Sequence, residues 1–398
     1  MSHVFRRLLA GASAAAAAAL VSTAVDAQAP AVKITDPTSV VMIVNRDSNE
    51  VAFMDVKTKQ MVGKVFLGNN VNPHMVMMSP DGRYVVTGGT RANKAYIIDA
   101  RTLQLVKVIP VDIAPEHLSF SPDSRWYYQG NPQGDSIAVI DMQSLTKIKT
   151  IPGFAEPLNV TFLPDGSKAY VGNYGAHWIG VVDVRRHELL KKIQVANMPG
   201  IAKLDPDKYL SEIHGINIAA LSYDGRWLYA ADGDLGVVAV VDPREDKVVK
   251  TIRVGKDPWR IYLSHDGKYG ITPNNGDQTI SIIDLQGQKV AATLEAGPDM
   301  TGVNFAAGKA FVISSSSGFV YVYDLKTLRP AGRMKIGTNI QLETATTDTA
   351  DQTLYLADST ENAVVVIDAK NQTFEKVRNV GQYPWGTHIM DSKDNYCH

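Results

Sequence analysis

Eight short β-branched runs, each closing on an aspartate, pace the chain. VAFMD, KAYIID, IAVID, IGVVD, VAVVD, SIIDL, VYVYD and VVVID place Asp55, Asp99, Asp141, Asp183, Asp242, Asp284, Asp324 and Asp368 in register. The successive gaps are 44, 42, 42, 59, 42, 40 and 44 residues, the period of a propeller blade and too long for leucine-rich or ankyrin units. Four strands can be read within a unit. In the second they are MVMMS, a Pro80-Asp81-Gly82 turn, YVVTGG, a polar turn, AYIID, an Arg101-Thr102-Leu103 turn and LVKVIPV. Val, Ile and Tyr runs separated by Gly, Pro, Asn and Asp are strand signals, and no long stretch shows the helical period. The pattern predicts an all-β fold in which each recurring aspartate accepts backbone N–H bonds in a turn.

A four-stranded blade has two apolar faces that it cannot bury alone, and stacking eight around an axis buries them and leaves only short edges. The chain begins in mid-blade: VVMIVNR from Val40 and VAFMD precede the first full unit, while the run Trp385 to Met390 is an orphan inner strand. These two halves are expected to complete one blade and close an eight-bladed β-propeller, with seven blades as the alternative if a terminal half packs irregularly.

The units resemble a known repeat. Gly68 to His74 followed by Ser79-Pro80-Asp81-Gly82, and Val171-Gly172-Asn173-Tyr174 leading to Val181-Val182-Asp183, are similar to the YVTN-type propeller repeat over most of residues 40–390. Such propellers serve as redox-enzyme subunits, surface proteins and binding modules, so the resemblance implies fold more than function. With eight units and a secretion signal, the chain also resembles the haem-d1-binding propellers of cytochrome-type nitrite reductases and their maturation proteins. That resemblance implies a haem d1-like tetrapyrrole as cofactor.

Composition narrows the partners. Apolar residues are 45% and charged residues 20% of 398, and 40 basic against 41 acidic groups leave a net charge of -1. This is globular composition with no field to attract nucleic acid. The single cysteine, Cys397, excludes an internal disulfide, a Cys-rich zinc site and a CxxCH haem attachment. Residues 1–29 read as a secretory signal: Arg6-Arg7, a run of apolar and small residues from Leu8 to Val25, then a small-residue cleavage site at Val25-Asp26-Ala27. The expected organisation is therefore a leader over 1–29 and one periplasmic propeller over 30–398, without a membrane span once the leader is removed.

The chemistry is expected where the inner strands enter the central channel. Aligned on the turn that follows each inner strand, equivalent positions hold His74, the pair Glu116-His117, Asn159, Asn217, the pair Trp259-Arg260, Thr301 and His388. Four of these positions closely follow a proline, which fixes φ at the strand entry and says nothing about ligands. Once the ring closes, His388, His74 and His117 belong to consecutive blades and are expected to converge on one side of the mouth. Neutral imidazoles on rigid strands are ligands for copper or iron, or for the iron of a haem-like group. In this scheme His74 and Glu116 handle protons, and Arg260, with Trp259 beside it, grips a carboxylate through its planar fork.

The 59-residue gap carries an insertion over 197–213, expected to hang over the same mouth as a lid and to bring His214 to the cofactor. Electrons must then arrive from a periplasmic electron-transfer or partner protein. Two other readings stay open: a non-enzymatic scaffold whose rim holds a partner, and a metal-dependent lactonase-like hydrolase. No GxSxG elbow, phosphate loop or HExxH occurs, so serine hydrolase, nucleotide and zincin readings have no local support.

Overall fold

In the computed structural model the described residues are 32–195 and 213–394. The leader, all of the insertion except Ile213, and Cys397 lie outside them. The strands form eight four-stranded antiparallel sheets. Among the described residues the only helical elements are the short 3-10 turns Pro37–Ser39 and Pro132–Gly134.

The inner strands of blades 2 to 8 are Pro73–Met78, Leu118–Phe120, Pro157–Phe162, Ile216–Leu221, Tyr262–Leu263, Met300–Ala306 and Leu342–Thr347. Blade 1 is assembled from both ends of the propeller. Its strands Val40–Asn45, Glu50–Asp55 and Met61–Phe66 are completed on the inside by Pro384–His388, in the register Met42↔His388, Ile43↔Thr387 and Val44↔Gly386. The side chain of Asn45 adds a bond across the junction to the Val380 carbonyl (3.0 Å). The eight-bladed expectation and its closing device are both met.

Alternation of side chains across each strand explains how the ring holds together. Met42 and Val44 pack with Val76, Met78 and Val85 of blade 2, whereas Val41 and Ile43 pack with Tyr355, Val364 and Val366 of blade 8. The same division recurs around the ring, so the core consists of interfaces between neighbouring blades. Full burial of one such aliphatic side chain is worth about 1.5–3 kcal/mol. At the mouth the blades approach still more closely. A Cβ at Gly172 would run into the Asn217 carbonyl on the next inner strand, so a side chain there would hold blades 4 and 5 apart.

The turns behave as the aspartates imply. Asp55 Oδ1 accepts from the Lys57 and Thr58 amides (3.0 and 2.6 Å) and the Thr58 hydroxyl (2.8 Å), while Ser79 Oγ donates to Asp81 at the Ser-Pro-Asp-Gly turn (2.6 Å).

Past His388 the chain runs beneath the ring. Asp394 accepts from Asn304 Nδ2 (3.0 Å) and the Thr347 amide (2.7 Å), and faces His265 Nε2 (3.2 Å). Lys393 pairs with Asp351 (2.6 Å), and its carbonyl accepts from the Tyr223 hydroxyl (2.8 Å). Residues 391–394 thus strap blade 1 to blades 5, 6, 7 and 8 at the end of the inner strands remote from the mouth.

Candidate functional site at the channel mouth

Side chains reach the mouth because the inner strands enter it with a bulge. Pairing with the second strand jumps from Pro73↔Gly89 to Val76↔Thr87, leaving His74 and Met75 opposite one residue. The same slip occurs at Pro157/Val160, Ile216/Ala219 and Leu342/Ala345. A bulge re-aims the residues it contains, and here these include His74, Asn159, Asn217 and Glu343.

Seven of the residues gathered here are buried: His74, Glu116, His117, Asn159, Asn217, Arg260 and Glu343. The imidazoles of His74 and His117 meet edge to face with centroids 6.0 Å apart. Trp385 of blade 1 lies against His74 at 5.1 Å. Arg46, from the turn after Val40–Asn45, lies 4.4 Å above the Trp385 ring and donates to Asn72 Oδ1 (2.9 Å). Arg260 enters from blade 6, opposite blade 2, with its guanidinium carbon 5.5 Å from the Trp259 ring, so the stacking of Arg on Trp is present.

The electrostatics favour negative charge in this neck. Burial, then Arg46 and Arg260, hold His74 well below the ordinary imidazole range. Burial, Arg260 and His74 do the same to His117, against a hydrogen bond with Asn159. Both rings are therefore neutral near pH 7. Among the described residues no partner bonds His74 Nδ1, His117 Nδ1, Arg260 Nε, Asn159 Nδ2, Trp385 Nε1 or either polar atom of the Asn217 amide. Buried polar atoms without partners are costly in a native fold, and their concentration at one place makes the neck the candidate site.

His388 is not part of this group. The ladder makes Pro384, paired with Asn45, the counterpart of Pro73, so Trp385 occupies the register position of His74. His388 lies three residues further along the strand, about 10 Å deeper at the usual strand rise. Counting from Asp394 misplaces it, because the position that corresponds to Asp81 is Ser392, two residues earlier. The expected convergence of three histidines is thus corrected to a pair. Among the described residues no three His, Cys, Asp or Glu side chains are grouped to hold a metal ion.

The rim above blades 4 to 6 carries a second set of groups. His214 Nδ1 bonds Asp257 (2.8 Å), and its ring stacks on Tyr174 at 5.7 Å. Tyr174 in turn meets Trp259 edge to face at 5.7 Å, which ties half-exposed His214 to the mouth. His177 Nδ1 bonds fully buried Asp232 (2.8 Å), and this bond raises the imidazole above its ordinary range. Of the lid expected over 197–213, all but Ile213 lies outside the described residues.

Sequence reasoning missed Arg46, Glu343 and Trp385, although a signal for two of them exists. From His74, steps of 42 residues, with one of 59, reach Glu116, Leu158, Asn217, Trp259, Thr301, Glu343 and Trp385.

Residues 8–126 match the family described as the cytochrome D1 heme domain. Among solved structures, the chain superposes on dihydro-heme d1 dehydrogenase NirN in complex with DHE with a TM-score of 0.71 and 19% identity, covering 90% of this chain and 76% of that one. It superposes on Kuenenia stuttgartiensis hydrazine synthase at 0.57 and 22%, covering 76% and 97%. A functionally unknown protein from Desulfotomaculum acetoxidans gives 0.58 and 11%, covering 89% and 99%. No curated protein sequence matches the chain. The resemblance to haem-d1 propellers is borne out, and the structural likenesses establish the propeller fold.

Proposed function

We propose that this propeller binds a haem-d1-like tetrapyrrole at the mouth lined by His74, His117 and Arg260, as an exported component of a redox system. The observation that carries the reading is the set of buried, unpartnered polar atoms at the neck, where Arg46 and Arg260 both act on His74. A tetrapyrrole with carboxylate side chains supplies partners that these atoms lack.

The residues fit such a group in chemistry. Arg260 and Arg46 offer planar forks to carboxylates. Trp259, Trp385 and Tyr174 supply an aromatic lining beside them. Neutral His74 and His117 each keep a ring nitrogen available to iron or to a ligand's donor, and His214, oriented by Asp257, is a further imidazole at the rim. Asn159 and Asn217 can bond a polar edge, and Glu116 stands beside His117 for proton exchange. When bound, the iron of the group supplies reversible one-electron exchange. A bare copper or iron ion suits the mouth less well, since the histidines form a pair and not a triad.

Export to the periplasm by residues 1–29 and electron supply by a separate partner protein belong to the same proposal. Among the described residues no helix is long and apolar enough to cross a membrane.

An absorption titration tests the reading. Haem added to the full-length mature chain is expected to give a saturable Soret shift that weakens at least tenfold in an Arg260→Ala, His74→Ala double variant. An unshifted spectrum in the wild-type protein would refute tetrapyrrole binding and leave the scaffold reading.

A further inference from the structure

Two carboxyl groups stand in the ring of positions that contains His74: Glu116 of blade 3 and Glu343 of blade 8. Glu343 is buried, and its Oε1 accepts a bond from Ser359 Oγ (2.7 Å). Ser359 is itself fixed by its amide bond to the Gln341 carbonyl (3.1 Å). Three charged groups act on this carboxyl from the surrounding elements. Their charges are those of Arg46 on blade 1, Asp299 in the loop entering blade 7, and Asp358 on its own blade, where Asp358 is already paired with Lys376 (2.8 Å).

Burial pushes the Glu343 carboxyl up to about 7; the Ser359 bond and Arg46 pull it down, while Asp299 and Asp358 push it up. Arg46 is thus the cation that favours the charged form. The same guanidinium, held over Trp385 and bonded to Asn72, is what an anion meets on this side of the mouth.

We propose that the mouth takes up its anionic ligand together with one proton, and that Glu343 holds that proton. An anion engaging Arg46 offsets the positive charge that favours the Glu343 carboxylate and places negative charge nearby. The carboxylate then accepts one proton from solvent and becomes the neutral acid, with no other bond made or broken. The inference rests on the tetrapyrrole reading in taking the ligand to be a carboxylate-bearing anion.

Calorimetric titration of the mature chain with metal-free coproporphyrin, at pH 7.5 in buffers of different ionisation enthalpy, tests it. The slope of heat against buffer enthalpy counts protons. The wild type is expected to take up roughly half to one proton, and its affinity to fall by up to about tenfold between pH 7.5 and 8.5. Glu343→Gln, once circular dichroism shows it folded, is expected to bind with a slope near zero and a flat pH profile. Ser359→Ala removes a bond that favours the carboxylate, so its uptake should shrink at pH 7.5 and reappear at higher pH. A zero slope in the wild type, or an unchanged slope in Glu343→Gln, overturns the assignment; in the second case the imidazoles of His74 and His117 hold the proton. A Ser359→Ala profile superimposable on the wild type also counts against it. An absence of binding heat in the wild type refutes the tetrapyrrole reading instead.

Discussion

His74 and Arg260 enter the channel neck from opposite sides of the ring, and the guanidinium helps to keep the imidazole neutral. His117 is held in the same state by the same group. The pair therefore has a measurable cost in acid.

A histidine whose folded-state value is depressed binds fewer protons than the unfolded chain, so its contribution to stability is lost as pH falls below the ordinary imidazole value of about 6.5. We expect the melting temperature to drop from pH 7 to pH 5. A His74→Gln, His117→Gln variant should show a shallower drop, measured by differential scanning fluorimetry. A parallel drop in the variant would mean that the neck histidines do not carry the effect.

The His177–Asp232 pair works in the opposite direction. Its imidazole is raised by the bond to Asp232, so the stabilisation is complete below the unfolded value and fades as pH rises through the folded one. Asp232→Asn breaks a buried pair and should cost about 3 kcal/mol. Urea unfolding at pH 6 and pH 9 should show the larger loss at pH 6.

Gly172→Ala tests the closeness of the blades at the mouth. The added methyl meets the Asn217 carbonyl, and overpacking of this kind costs about 1–3 kcal/mol. Both a lower melting temperature and weaker tetrapyrrole binding are expected, because Asn217 is displaced with its strand.

The strap beneath the ring offers a fourth test. Asp394→Ala removes the acceptor for Asn304, the Thr347 amide and His265. Leaving buried donors unsatisfied costs about 1–3 kcal/mol each. Hydrogen exchange should rise at Thr347 and near His265, while the junction of Val40–Asn45 with Pro384–His388 stays protected.

Most of the fold is legible in the sequence because each blade repeats the same punctuation. An aspartate closes the third strand of every blade, a turn aspartate follows the first strand in blades 2 to 6, and the spacing stays near 42 residues apart from one gap of 59. Even the joining of Val40–Asn45 to a distant terminal strand follows from counting half-blades. The site is legible only in part. His74 and His117 are found because their units keep the punctuation; His388 is misplaced because Asp394 stands two residues past Ser392, the position that corresponds to the turn aspartate. Arg46 carries no signal of its own, since its place beside the mouth exists only after Trp385 joins its blade from the other end of the propeller. Glu343 is visible to a count of 42 from Thr301, yet its chemistry depends on burial and on Ser359, which no spacing reveals.

The junction that closes blade 1 also sets a timetable. Asn45 and its partner Val380 are 335 positions apart, so Val40–Asn45, the first strand of the propeller to be made, waits for the last one to complete its blade. Until then Val41 and Ile43 remain uncovered on an incomplete sheet, which is the kind of surface that chaperones retain. A circular permutant opened in the loop between Phe66 and Pro73, with the native termini joined, would make every blade continuous in sequence. Such a chain should refold faster than the natural one while reaching the same ring.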